Sequence, residues 1–187
     1  VIDSTEDTTN MSRWTTMRLQ GKEDKKMAFI CAYRVCDQNI RSTGSNTVFQ
    51  QQWCHLRATG IEEPDPRQQF VDDLTSYMKH LIATNHEIFL MGDMNEDTEK
   101  GRSSIAKMLV DCNMVNLHTY LHKDLDDPPN TYIRGKDCID IMAGTTLVAE
   151  NTKRAGIEAF GQTYHSDHRG MFADLAINNI LNGHPAE

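Results

Sequence analysis

Three short pieces of this 187-residue chain carry side chains suited to hydrolytic chemistry: Gly92-Asp93-Met94-Asn95, Ile139-Asp140 and Ser166-Asp167-His168. The first follows an apolar run, Ile88-Phe89-Leu90-Met91, that reads as a buried strand ending in a sharp Gly turn. The third precedes Met171-Phe172-Ala173-Asp174-Leu175, which alternates as a strand does after a polar loop. Carboxylates, an amide and an imidazole at strand ends are how α/β sheets assemble hydrolytic sites. Phosphodiester cleavage needs a water held in line, a cation on the developing charge, and help for the departing alkoxide. Asp93 suits the first task, orienting or deprotonating the water. Asn95 can donate to a phosphate oxygen, which an ionised Asp cannot. His168 can donate to the pentacoordinate phosphorus centre or protonate the leaving group, with Asp140 fixing its tautomer. Asp140 sits between Ile139 and Ile141, where a buried carboxylate requires a partner, and His168 supplies one. Asp167 then serves as a cation ligand or as support for one. Taken singly, Asp93-Met94-Asn95 also reads as an ordinary Asx-rich turn, and Ser166-Asp167-His168 as a loop with a surface His. Taken together and in order, they point to a metal-dependent phosphodiesterase, a nuclease first of all.

The elements that must position these residues follow from local pattern. Trp14 to Leu19 and Met27 to Tyr33 read as two strands of a hairpin across a polar turn. Thr47 caps a helix carrying Val48, Phe49, Trp53 and Leu56, closed by Gly60. Asp65-Pro66 opens a second helix whose apolar face is Phe70, Leu74, Tyr77, Met78 and Leu81. It feeds the strand Ile88 to Met91, so a helical crossover joins two strands of one sheet. Ser103 or Ser104 caps a short helix with Ile105, Met108 and Leu109. Beyond the turn Asp126-Asp127-Pro128-Pro129-Asn130, four short strands are expected: Thr131 to Ile133, Cys138 to Met142, Gly156 to Phe160 and Met171 to Ile177.

Composition sets the bounds. Hydrophobic residues at 39% and charged residues at 25%, with a mean hydropathy of −0.57, describe a globular chain of one α/β domain. No apolar run approaches the ~20 residues of a membrane-spanning helix. The first ten residues have neither the basic nor the apolar region of a signal peptide, which suggests an intracellular protein, with the nucleus among its compartments. The chain also lacks an initiator Met, as a fragment would. The formal net charge of −8 argues against a general polyanion-binding surface, although an acidic cluster around a divalent cation adds the same sign. Basic residues are uneven: Lys22, Lys25 and Lys26 cluster early, and Arg102, Lys107, Arg134, Lys136, Lys153 and Arg154 lie in the second half. The five cysteines lack paired metal-ligand spacing and read as reduced, mostly buried thiols. His118 and His122 stand at helical spacing without a third ligand.

Met91 to Asn95, Cys138 to Met142 and Tyr164 to Arg169 resemble the last three motifs of the endonuclease/exonuclease/phosphatase superfamily. That superfamily includes deoxyribonuclease I, the exonuclease III-type abasic-site endonucleases and the endonuclease domains of non-LTR retrotransposons, the last being nearest in pattern. Ile30-Cys31-Ala32-Tyr33-Arg34 resembles the preceding strand motif. The resemblance implies a two-layer β-sandwich flanked by helices, Mg²⁺ or Mn²⁺ as cofactor, and nucleic acid as partner, DNA foremost. Fusion to a reverse transcriptase is among the contexts it implies. It assigns catalysis to Asp93, Asn95, Asp140 and His168, the substrate phosphate to Tyr33, Arg34 and Asn95, and the metal to Asp167. There are departures. The superfamily's first strands carry an Asn and a metal-binding Glu, and nothing before Trp14 matches either. Glu6 sits in a polar stretch without strand pattern, and Glu23 and Glu87 are poor substitutes. Residues 1–187 are therefore expected to form a single partial domain lacking the first strands, with 1–10 a disordered or orphaned lead-in. A phosphomonoesterase of the same superfamily is an alternative, although Asn95-Glu96-Asp97 and Lys136 to Asp140 depart from the inositol-phosphatase pattern. A catalytically inactive remnant or binding module is another.

Overall fold

A computed structural model describes residues 3–38, 40, 44–124, 128–163 and 165–183. The expected Asp126-Asp127 turn and Tyr164 lie outside the described residues. Alternation of apolar and polar side chains produces the strands β2 (Trp14–Gln20) and β3 (Lys26–Tyr33), paired antiparallel with Trp14 opposite Ala32. Ahead of them lies β1 (Asp3–Glu6), paired antiparallel with β2. Residues 3–6 of the lead-in expected to be disordered or orphaned thus form a strand. Its reason is long-range: a polar edge strand needs no apolar alternation, only a ladder and side-chain anchors. Asp3 pairs with Arg18, and the hydroxyls of Thr5 and Tyr77 lie 3.2 Å apart.

The helices form where caps and apolar stripes coincide. Thr47 caps α1 (Val48–Ala58), and Asp65 accepts from the amides of Arg67 and Gln68 at the start of α2 (Pro66–Ala83). The α2 face Phe70, Leu74, Met78 and Leu81 is buried against Ala28 and Ile30 of β3 and Ile88 and Leu90 of β4 (His86–Asp93). Strands β3 and β4 are parallel neighbours across this crossover. Then come α3 (Ser104–Asp111), capped by Ser103, β5 (Met114–Asn116), α4 (Leu117–Leu121) and β6 (Asp140–Thr145). The first sheet runs β1-β2-β3-β4-β6-β5.

The remaining elements are α5 (Thr146–Glu150), β7 (Thr152–Ile157), β8 (Met171–Leu175) and α6 (Ile177–Leu181). Strands β7 and β8 make a separate two-stranded antiparallel sheet. A second core of Met27, Phe89, Met142, Leu117, Val148, Ala155 and Ile180 lies between the two sheets and the short helices. The architecture is the expected α/β sandwich flanked by helices, its second sheet only two strands wide.

Several boundaries differ from expectation. Thr131 to Ile133 is not a strand; Tyr132 makes a single bridge to His168. The strand expected at Gly156 to Phe160 starts instead at Thr152, because exposed Lys153 and Arg154 hide its two-residue alternation. Strand β8 ends at Leu175, and Ile177 opens a helix. The cysteines are free as expected, but Cys31, Cys36 and Cys54 are exposed and only Cys112 and Cys138 are buried, so most of the thiols are not interior.

Candidate active site

The C-terminal end of β4 organises the site. Parallel pairing sets Asp93 opposite Tyr33 of β3, and antiparallel pairing sets it opposite Asp140 at the start of β6. Gly92 makes this possible: its φ is +150°, and a Cβ there would lie 1.8 Å from the carbonyl oxygen of Ala32. The chain then turns sharply. Asp93 Oδ1 accepts from the Asn95 amide at 2.9 Å, an Asx turn completed by the left-handed backbone of Asn95 at φ +48°.

Asp140 and His168 meet directly, with Nδ1 of the imidazole 2.9 Å from Oδ2 of the carboxylate. Both are largely buried, with side-chain exposures of 15% and 29%. Burial pulls the His168 pKa down, but the hydrogen bond and charge of Asp140, helped by Asp93 and Asp167, outweigh it, and the net shift is upward. Burial pushes the Asp93 carboxyl above its ordinary range; the Asn95 amide opposes this and the neighbouring Asp140 charge adds to it. Asp93, Asp140 and His168 each offer a ligand atom within 4.8 Å of the others.

The other expected residues fall in different places. The Tyr33 ring is 41% exposed at the rim, its hydroxyl pKa raised by burial first and then by Cys36 and Asp93. Asn95 faces inward: Nδ2 donates to the Arg34 carbonyl at 2.7 Å and to Asp93 Oδ2 at 3.2 Å, and Oδ1 accepts the Cys36 thiol at 3.1 Å. Its amide hydrogens hold Asp93 rather than standing free for a phosphate. Arg34 is a correction. The residue is 4% exposed, and its guanidinium bonds Glu96 at 2.6 Å and the Ser104 hydroxyl at 3.0 Å. The half-buried Glu96 carboxylate claims the cation that the sequence assigned to substrate. Asp167 is exposed and outside the close cluster; its carbonyl accepts from the Ile133 amide at 2.8 Å.

From the sequence, Thr131 to Ile133 was expected as a strand, with no link between the segment from Asn130 to Lys136 and the site. Asn130 Nδ2 donates to the carbonyls of Tyr132 and Gly135 at 2.8 and 3.0 Å, folding a tight turn. The Tyr132 ring lies 5.1 Å from His168, and the turn exposes Ile133 (54%), Arg134 and Lys136 beside it. The turn residues Asn130 and Gly135 and the basic Arg134 and Lys136 were its signals.

The sequence matches no protein-family model and no curated protein. Solved structures do match. A 3′ phosphatase from Neisseria, NExo, bound to a product DNA hairpin, superposes with a TM-score of 0.60 at 15% identity over 93% of this chain. The AP endonuclease of Leishmania major gives 0.57 at 13% identity over 86%. The endonuclease domain of TRAS1, a telomere-specific non-LTR retrotransposon, gives 0.57 at 11% identity over 93%. This chain spans 70%, 53% and 68% of those chains respectively.

This chain shares the fold of these three structures. Glu6 lies away from the site. It pairs with Thr15, three strands from β4, which puts it about 14 Å across the sheet from Asp93's strand. Glu87 is engaged by the Thr145 hydroxyl, and Glu23 accepts from Asn182 at 2.9 Å. Among the described residues, the donor set at the site is two carboxylates and an imidazole already committed to one of them. Two adjacent carboxylates, one of them held partly against its charge by burial, fit a hard divalent cation that keeps several waters.

Proposed function

We propose that this site hydrolyses phosphodiester bonds in DNA, as a mobile-element-type nicking endonuclease. The observation that carries the reading is the convergence of Asp93, Asp140 and His168 at the end of β4, in a fold shared with DNA-processing enzymes. Asp93, pinned through both oxygens by Asn95, aligns the attacking water and takes its proton. His168 gives Nδ1 to Asp140 and keeps Nε2 for a phosphoryl oxygen; its raised pKa favours the form in which Nε2 is a donor. Tyr33, exposed opposite Asp93, supplies a hydroxyl to the same phosphate. Asp93 and Asp140 would hold a Mg²⁺ or Mn²⁺ ion, which supplies charge neutralisation on the phosphate when bound.

Incubation with supercoiled plasmid and Mg²⁺ tests the reading. Nicking should fall at least ~10²-fold in Asp93→Ala, Asp140→Asn and His168→Ala, with melting transitions still cooperative. Nicking that survives Asp93→Ala overturns it. The donor set among the described residues, two carboxylates and an imidazole bonded to one of them, leaves room for a second reading, a DNA-binding remnant. Retained DNA binding without any divalent-dependent cleavage would select it.

A further inference from the structure

Thr131 has no part in the chemistry above, yet it is completely buried beside the site. Its hydroxyl oxygen accepts from two consecutive amides, Ile139 at 3.0 Å and Asp140 at 3.1 Å. Successive amides of a regular strand point to opposite sides, so one oxygen can take both only where the chain turns. The turn falls at the entry to β6, on the residue carrying the carboxylate that holds His168. The Thr131 backbone reaches further. Its amide donates to the Asp137 carbonyl at 3.2 Å, and its carbonyl accepts from Arg169, the residue after His168, at 2.8 Å. Next in the chain, Tyr132 bridges to the His168 backbone. One buried residue thus ties together the two segments that deliver Asp140 and His168.

We propose that Thr131 is a positioning residue: its hydroxyl, by holding the amides of 139 and 140, sets the Asp140 carboxylate against His168 Nδ1 and so presents Nε2 to the substrate. The consequence for turnover rests on the phosphodiesterase reading; the geometric claim does not. The hydroxyl is the operative group. Valine fills the same volume but leaves two amides at the β6 entry without their acceptor. The entry must then turn to find others, carrying the Asp140 carboxylate away from the imidazole.

The test uses the whole chain with ¹⁵N-labelled histidine, the His168 signals being assigned by their loss in His168→Ala. Wild type and Thr131→Ser should show the neutral His168 ring with its proton on Nδ1. Thr131→Val and Thr131→Ala should lose that signature while other histidines and the cooperative melt are retained. In nicking assays Thr131→Val should lose about 10- to 100-fold in kcat with KM little changed, and Thr131→Ser should recover it. Should Thr131→Val fail to fold, the Ser and Ala variants, which differ by one hydroxyl, still decide. The same His168 tautomer in the Ser and Ala variants overturns the proposal. If no protein nicks DNA, wild type included, the phosphodiesterase reading falls while the tautomer measurement still judges Thr131.

Discussion

Glu96 follows the Asp93 to Asn95 turn but points away from the chemistry. It accepts from the Ser103 hydroxyl at 2.5 Å and the Ile105 amide at 3.1 Å, so it anchors the start of α3 while neutralising buried Arg34. Burial alone would raise its pKa. Hydrogen bonds from Ser103, Arg34 and Ile105 overcome this and bring it down to about 2 from an ordinary 4.5. A depressed folded-state pKa contributes stability that is present above pH 4.5 and lost as pH falls toward 2. Glu96→Gln is therefore expected to cost up to about 3 kcal/mol at neutral pH and almost nothing near the acid limit. Urea titrations of both proteins across that range check it; parallel stability curves would mean that Glu96 is not what holds Arg34.

At the scale of elements, the close approach of β3 and β4 matters most: it sets Asp93 beside Tyr33, while β6 brings Asp140 to the other side of Asp93. Helix α2 presses on one face of this pair, and Phe89 and Met27 fill the other, so neither strand can shift cheaply. Gly92 is the point of least tolerance. In Gly92→Ala the new methyl meets the Ala32 carbonyl, and the backbone conformation there strains any L side chain. The expected loss is at least about 2 kcal/mol, with displacement of Asp93. Denaturant unfolding measures the first, and chemical shifts at the end of β4 report the second. A variant as stable as wild type would show that the strands separate more easily than their packing implies.

Over the whole molecule, a net charge of −8 opposes an anionic partner, and two exposed cations, Arg134 and Lys136, lie on the turn whose Tyr132 packs on His168. If DNA is the substrate, Arg134 and Lys136 are expected to meet its phosphates. Replacing both with Ala should weaken DNA binding about equally across sequences and reduce the salt slope by about 1–2, as read by fluorescence anisotropy against salt concentration. An unchanged slope would move the DNA path to another face. No helix among the described residues is long and apolar enough to cross a membrane.

The sequence by itself determined the parts whose signals are local. Caps at Thr47, Asp65 and Ser103, the stripe of α2 and the alternation of β2 and β3 each depend on neighbours within a few residues. So does the Asx turn that displays Asp93. Burial of Asp140 in an apolar strand even implied its partner, since an unpaired carboxylate there is costly. Only the tertiary structure decided the rest. Polar β1 exists because β2 offers it a ladder. Arg34 turns inward because Glu96, 62 residues away, meets its guanidinium there, and Asn95 serves Asp93 because the Arg34 carbonyl and Cys36 hold its amide. Thr131 carries no local mark at all. Its place follows from which distant amides converge on one oxygen, and spacing along a chain does not encode that convergence.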